Sequence, residues 1–183
     1  MRALRRTLPL VALLLVAFSI PAIAQEEGRT NNRNGLWGGL GLGYGILGLL
    51  DCPSGFTCDT EGGLSGNARI GFTPSQSFRV ALGSNSWVDT GEGRSSNIGL
   101  LSAQGLYYPG AKNFFLLGGA GLALATCSGC STETGAGIVL GLGYDIPLNQ
   151  SGSLALTPYV NWVPTTLEFN PYILQFGLGL TFN

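Results

Sequence analysis

The chain has 183 residues, of which only 10% are charged and 30 are glycine. The net charge of −1 excludes a basic nucleic-acid-binding surface, and the 45% of hydrophobic residues excludes a highly charged disordered chain. The sequence contains no histidine, so mechanisms that need an imidazole are excluded too.

The N-terminus has the three parts of a cleaved secretory signal. A basic region with three arginines precedes a 13-residue apolar run at 8–20, and an Ala-x-Ala pattern follows at 22–24. The apolar run is shorter than the roughly 20 residues that a transmembrane helix needs. We therefore predict a signal peptide at 1–24, a flexible periplasmic leader at 25–34 and a β-domain at 35–183.

Eight stretches separated by turn-rich gaps make up that domain. In most of them the even-numbered residues are apolar and the odd-numbered ones small or polar, which indicates β-strands. The stretches are residues 35–50, 62–72, 77–87, 96–108, 114–126, 134–146, 153–163 and 172–182. The fourth lacks a clean alternation, and Pro158 interrupts the seventh. The alternative, a glycine-zipper helix at 36–50, is disfavoured by the cost of glycine in helices.

The two faces of these strands differ in a way that suits a membrane. The apolar face is rich in Leu, whereas the opposite face carries Gly, Ser, Thr and Asn with almost no Lys or Glu. Short gaps also alternate with longer ones, as they do at the two ends of a membrane barrel. We therefore predict an all-β fold, an eight-stranded antiparallel up-and-down transmembrane β-barrel, with its polar face inside.

Aromatic residues cluster near both strand ends, as interfacial girdles require. At the short-turn end these are Trp37, Phe72, Phe78, Tyr108, Phe114, Tyr144 and Phe182, and at the long-loop end Trp87, Trp162 and Tyr172. Trp87 has the wrong parity for the lipid face of its strand unless a bulge intervenes.

Repeated phrases complete the pattern: residues 39–44 read GLGLGY, residues 141–144 read GLGY, and residues 177–182 read GLGLTF. With the signal peptide and the eight segments, this pattern resembles the small outer-membrane β-barrel family of the outer-membrane protein A/X type. The resemblance implies a Gram-negative-type outer membrane, the lipid bilayer as the main partner and no cofactor. It also implies insertion by the barrel-assembly machinery, which recognises an aromatic residue near the C-terminus, here Phe182.

All four cysteines fall in predicted extracellular loops. In an exported chain an even number of cysteines suggests disulfides. Local pairing of Cys52 with Cys58 and of Cys127 with Cys130 is the expected arrangement, and a cross-loop pairing is an alternative. A four-thiolate zinc site and a free or redox-active Cys127–Cys130 pair are further alternatives.

Some polar residues have the parity of the barrel interior. Arg69, Arg79 and Asp145 are the charges within strands, and we expect a charge network that plugs the lumen, with an ion-selectivity constriction as the alternative. The uncharged residues on this face include Thr157, Tyr159, Asn161 and Gln175. They are expected to be packed polar groups, and a small ligand cavity is the alternative.

Three classes of function remain to be compared. Outer-membrane enzymes on small barrels, such as lipid A deacylases, palmitoyltransferases and omptin-like proteases, rely on a histidine that this sequence lacks. The expected function is therefore a non-enzymatic barrel with a side-chain-filled lumen and a structural or surface-interaction role, in which the loops contact an extracellular partner. A narrow channel or a small-molecule-binding barrel is the alternative, although eight strands leave room only for side chains.

Overall fold

The computed structural model describes residues 33–51, 59–89, 96–127, 129, 131–168 and 170–183. The predicted signal peptide and most of the predicted leader lie outside the described residues, as do Cys52, Cys58 and Cys130. Within the described part of the chain, no helix is both long enough and apolar enough to cross a membrane.

The described strands close into one antiparallel barrel. They are β1 (Gly35–Leu49), β2 (Glu61–Ser75), β3 (Phe78–Asp89), β4 (Ser96–Tyr107), β5 (Phe114–Cys127), β6 (Glu133–Tyr144), β7 (Ile146–Pro147), β8 (Leu154–Pro164) and β9 (Pro171–Phe182). Each of the strands β1 to β5 pairs with the next one, and β1 also pairs with β9. Strand β8 closes the barrel by pairing with β9 on one side and with β6 and β7 on the other. Because β7 continues β6 after Asp145, eight strands span the barrel, and the predicted fold is confirmed.

Side chains alternate between the outer surface and the lumen. In β1, Leu36 and Leu42 are 78% and 69% exposed, whereas Trp37 is 4% exposed. The same alternation runs through the other long strands, and the outward positions are mostly Leu, Ile, Phe and Tyr. An apolar surface of this kind is stable in lipid, where the closed ladder also satisfies the backbone.

Strand β4 alternates as well, but its odd-numbered residues face outward. Paired residues share a face of the sheet, and outward Val88 in β3 pairs with Asn97, so the parity changes there. Leu101 therefore faces outward, while Ser102 and Gln104 face the lumen. The pattern is hidden in the sequence because leucines occupy both faces of this strand.

Three aromatic residues predicted for the girdles lie inside the barrel instead. Trp37, Trp87 and Tyr108 are at most 4% exposed, so their assignment to the lipid interface is wrong. Strand β3 pairs with β4 in an unbroken register, without the bulge that a lipid-facing Trp87 would need. The odd-numbered position of Trp87 thus correctly indicated the inner face of β3, and its ring packs inside the narrow lumen.

The other predicted aromatics lie on the outer side of the barrel. Tyr172 is partly buried, and the remaining six are 38–55% exposed: Phe72, Phe78, Phe114, Tyr144, Trp162 and Phe182. Tyr107 is a further exposed aromatic residue at the short-turn end, on the lipid side of β4. Sequence reasoning missed Tyr107 because the parity of β4 was not recognised.

Single-tryptophan variants test which rings face lipid. In vesicles of lipids with brominated acyl chains, we expect fluorescence quenching of Trp162, which is 38% exposed, and little quenching of Trp37 or Trp87. Bromine quenches by contact, and the strand wall keeps acyl chains away from the two lumen rings. The same variants in unbrominated lipid are the controls, and strong quenching of Trp87 would contradict its placement in the lumen.

Pro158 lies in β8 opposite an interruption of the neighbouring strand. The pairing of β6 with β8 ends at Gly143 and Tyr159, and pairing resumes in β7 with Ile146 and Leu156. Proline lacks a backbone N–H, so it disrupts a continuous ladder. The break between β6 and β7 lies opposite Pro158, so the ladder does not need a backbone N–H from this proline. At the break, the backbone N–H of Asp145 donates to the carbonyl of Asn113.

Inward glycines make room for large side chains from other strands. A Cβ atom added to Gly83 would lie 2.2 Å from the Gln104 amide nitrogen, and one added to Gly143 would lie 2.4 Å from the Phe115 ring. A Cβ atom on Gly45 would lie 2.6 Å from the Trp87 ring. The glycine-rich inner face therefore allows a narrow barrel to contain whole aromatic and amide side chains.

Candidate functional site

The lumen is filled by three successive layers of side chains, which together form the candidate site. The charged layer at the short-turn end contains Arg33, Trp37, Arg79, Tyr108, Asp145 and Thr157. The polar layer in the middle contains Asn67, Arg69, Asn85, Gln104, Tyr159, Asn161 and Gln175. The apolar layer towards the long loops contains Trp87, Leu100, Val139, Val163, Leu167 and Ile173.

Asp145 is the acceptor at the centre of the charged layer. Its carboxylate lies 3.8 Å from the Arg79 guanidinium and accepts hydrogen bonds from the Tyr108 hydroxyl at 3.0 Å and the Thr157 hydroxyl at 2.8 Å. Arg79 also donates to Tyr108 at 3.3 Å and to the side-chain oxygen of Asn183. A carboxylate with these partners neutralises one buried arginine.

Arg33 closes the charged layer at the short-turn end. Its guanidinium donates to the backbone carbonyls of Gln76, Ala111 and Lys112 at 3.3, 3.2 and 2.8 Å. The guanidinium also lies 3.7 Å from the centroid of the Tyr108 ring, a cation–π contact. Burial lowers the pKa of Arg33 and raises that of Tyr108, so the tyrosine stays protonated and donates to Asp145.

The polar layer is a chain of amide hydrogen bonds that crosses the lumen. Arg69 donates to Gln104 at 3.0 Å, Gln104 donates to Asn85 at 3.2 Å, and Asn85 donates to Gln175 at 2.9 Å. Asn161 donates to the same Gln175 oxygen at 3.4 Å. The chain connects β2, β4, β3, β9 and β8, so it ties together opposite walls of the barrel.

The predicted lumen residues thus fall into two groups. Arg79, Asp145 and Thr157 meet in the charged layer, whereas Arg69, Tyr159, Asn161 and Gln175 lie in the polar layer. Sequence reasoning missed Arg33, Asn85 and Gln104. Asn85 has the same parity as Arg79 and could have been found, but Gln104 lies in the strand of reversed parity, and Arg33 precedes the strands.

The apolar layer was also missed, because lumen-facing residues were expected to be small or polar. Trp87 is fully buried there, and its indole nitrogen donates to the carbonyl of Gly45 at 3.2 Å. Leu100, Val139 and Ile173 are at most 1% exposed. This layer fills the long-loop end of the described lumen with apolar side chains.

Of the cysteines, only Cys127 is among the described residues, and it is disulfide-bonded. Its partner lies outside those residues, so the pairing of the four cysteines stays a prediction. Within the part of the chain that the structure describes, no group of three or more Cys, Asp or Glu side chains is placed to hold a metal ion.

Solved structures with a similar fold are small outer-membrane proteins. The attachment invasion locus protein Ail of Yersinia pestis has a TM-score of 0.55 and 12% identity, covering 81% of this chain and 98% of Ail. Neisserial surface protein A has a TM-score of 0.54 and 14% identity, and the match covers 82% of this chain and 98% of that protein. The outer-membrane protein OprG of Pseudomonas aeruginosa has a TM-score of 0.53 and 13% identity, and the match covers 85% of this chain and 100% of OprG.

At these identities the similarity shows the fold alone. No protein-family model matches the sequence, and no curated protein matches it. The fold is that of the small outer-membrane barrels of Gram-negative bacteria. Together with the apolar outer surface of the strands, it makes this chain an outer-membrane β-barrel embedded in lipid.

Proposed function

We propose that this protein is a non-enzymatic outer-membrane barrel with a closed lumen and a structural or surface-interaction role. The observation that carries the proposal is the filling of the lumen at both ends. Arg33 and Tyr108 stack at the short-turn end, and Trp87 lies within a layer of buried apolar side chains towards the long loops. An eight-stranded barrel filled in this way has no open path for solutes.

The chemistry of the lumen supports a role without catalysis. The sequence has no histidine, and the buried carboxylate of Asp145 already has Arg79, Tyr108 and Thr157 as partners. A general base needs a free lone pair directed at a substrate, and Asp145 instead accepts hydrogen bonds inside a filled barrel.

The long-loop end supports a role in surface contacts. Asp51, Asp59, Glu61 and Glu168 are exposed there and give the described loop residues an acidic character. A partner with cationic groups would be attracted to such a surface. One protein of similar fold is named for attachment and invasion, which fits a surface role for this barrel too.

The route to the membrane follows from the same proposal. The signal peptide at 1–24 would direct export, and the leader at 25–34 would remain in the periplasm. Its residue Arg33 is not flexible, because its guanidinium is buried in the charged layer of the lumen. Phe182 lies 49% exposed on the outer side of the last strand, where the barrel-assembly machinery could contact it during insertion. The four cysteines would form disulfides in the oxidising compartment outside the inner membrane.

A narrow channel is the second candidate, favoured by one observation in the polar layer. Buried side-chain atoms of Arg69 and Asn161 there have no hydrogen-bond partner among the described residues, although the Nε atoms of Arg33 and Arg79 at the short-turn end lack one as well. A channel would still require Trp87 and Arg33 to move, because both ends of the described lumen are filled.

Planar-bilayer recordings distinguish the two candidates. We expect the purified, folded protein to give no stable conductance steps, because side chains fill the lumen along its length. The folded state is checked in the same preparation by the mobility shift between unboiled and boiled samples on a gel. Defined, reproducible steps from the wild-type barrel would overturn the closed-lumen proposal in favour of the channel.

A further inference from the structure

Four oxygen atoms from two short turns converge on the guanidinium of Arg33. Its Nη1 atom donates to the carbonyls of Gln76 and Ala111 at 3.3 and 3.2 Å. Its Nη2 atom donates to the carbonyl of Lys112 at 2.8 Å and to the side-chain oxygen of Asn113 at 3.4 Å. All four acceptors are neutral, and their arrangement around two nitrogens matches the planar fork of a guanidinium group.

The ring of Tyr108 forms one face of the same site. The Arg33 guanidinium carbon lies 3.7 Å from the centroid of this ring. The ring is held by other contacts as well, since its hydroxyl donates to Asp145 at 3.0 Å and its centroid lies 5.4 Å from that of Phe115. An aromatic face combined with oxygen acceptors at its edge suits a guanidinium better than an ammonium group.

The turn that supplies most of the acceptors has hydrogen bonds of its own. The Ala111 N–H donates to the carbonyl of Tyr108 at 3.1 Å, and the carbonyl of Asn113 accepts from the Asp145 N–H at 3.0 Å. Ala111 has a φ angle of 56°, which is uncommon for a residue with a side chain and persists only where the surrounding structure fixes it. The acceptors should therefore stay in place when the Arg33 side chain is removed.

Arg33 reaches this site from outside the strands. It precedes β1, which begins at Gly35, and the φ angle of 74° at Gly35 allows the chain to bend there. The Arg33 N–H donates to the side-chain oxygen of Gln76 at 3.2 Å, and the Gln76 amide donates back to the Arg33 carbonyl at 2.9 Å. The residue is 0% exposed, so its side chain covers the charged layer at the short-turn end.

We propose that the short-turn end of the lumen is a binding site for one alkylguanidinium group, and that Arg33 is its tethered ligand. The predicted leader thereby carries a plug for this end of the barrel. A small alkylguanidinium ion, or the side chain of a free arginine, fits the same acceptors and the same ring once the Arg33 side chain is removed. The site goes beyond the closed lumen, because the apolar layer fills the other end independently of Arg33.

Ethylguanidinium is the probe for the site, and Arg33→Ala is the variant that empties it. In a titration of the full mature variant in detergent micelles, the backbone amide resonances of residues 111–113 should shift and saturate. Ethylammonium has the same charge without the planar fork, so it should bind about tenfold more weakly. The wild type should show no saturable shift, because Arg33 occupies its site. Lys112→Gln removes an exposed cation from the same turn and should behave like the wild type.

Crystals of Arg33→Ala soaked with ethylguanidinium provide the structural measurement. Flat density is expected over the Tyr108 ring, within hydrogen-bond distance of the Ala111 and Lys112 carbonyls. Refolding into detergent covers the case in which Arg33→Ala does not fold by itself. The folded band of an unboiled sample should then appear on a gel after refolding with ethylguanidinium, and it should not appear after refolding with ethylammonium.

Equal affinity of Arg33→Ala for the two cations would overturn the proposal, as would a saturable shift of the same resonances in the wild type. An Arg33→Ala variant that neither binds ethylguanidinium nor is refolded by it would overturn it too. Stable conductance of the wild type in planar bilayers would reject the closed lumen without bearing on this binding, so the two proposals fail separately.

Discussion

Replacing Asp145 by alanine is expected to lower the free energy of unfolding by about 3–5 kcal/mol, because it leaves a buried arginine without its partner. Arg79 is 1% exposed, and its carboxylate partner is 3.8 Å away. The hydroxyls of Tyr108 and Thr157 would lose their acceptor at the same time. Urea unfolding of the barrel in lipid vesicles, followed by circular dichroism, measures the loss.

A double variant separates the loss of the partner from the value of the ion pair. Arg79→Met combined with Asp145→Asn removes both charges and keeps similar volumes, and the amide oxygen still accepts a hydrogen bond from Tyr108 or Thr157. The double variant should therefore recover most of the stability that Asp145→Ala loses. If Asp145→Ala costs less than about 1 kcal/mol, the charge network does not stabilise the barrel as described.

Trp87→Ala is expected to have a comparably large effect, about 3–5 kcal/mol, for a different reason. Trp87 is fully buried within the apolar layer, and truncating it leaves a cavity that side chains of a rigid barrel wall cannot fill. Its hydrogen bond to the Gly45 carbonyl would also be lost. The same unfolding measurement applies, since far-ultraviolet circular dichroism follows the loss of strand structure and needs no tryptophan fluorescence.

Trp162→Ala is the matched control for Trp87→Ala. Trp162 is 38% exposed on the lipid side, so its removal leaves no internal cavity and should cost less than about 2 kcal/mol. Equal losses from the two substitutions would contradict the assignment of one ring to the lumen and the other to the membrane interface.

Much of the fold could be predicted because alternation is a local property. In β9, Leu178 and Leu180 face outward while Gly177 and Gly179 face inward, as their parity predicts. The assignment of even-numbered residues to the outer face failed in β4, where odd-numbered residues face outward. The register of β4 against β3 pairs Val88 with Asn97, and the composition of the strand does not reveal that register.

The lumen was less predictable because its contacts join residues that are distant in the chain. Arg79 and Asp145 were both predicted to face inward, but their pairing and the separation of Arg69 from them depend on the registers of several strands. Aromatic residues were assigned to the girdles because they lie near strand ends. Trp37 also lies near a strand end, but its ring packs inside the narrow barrel.

The sequence by itself determined that this chain forms a β-barrel with one face in lipid, because period-two alternation and the scarcity of charge record the solvent on each side of a strand. Only the tertiary structure decided how the lumen is filled. Closing the barrel places side chains from β2, β4 and β8 over glycines of other strands, and that closure creates the Asp145 network and the Trp87 layer.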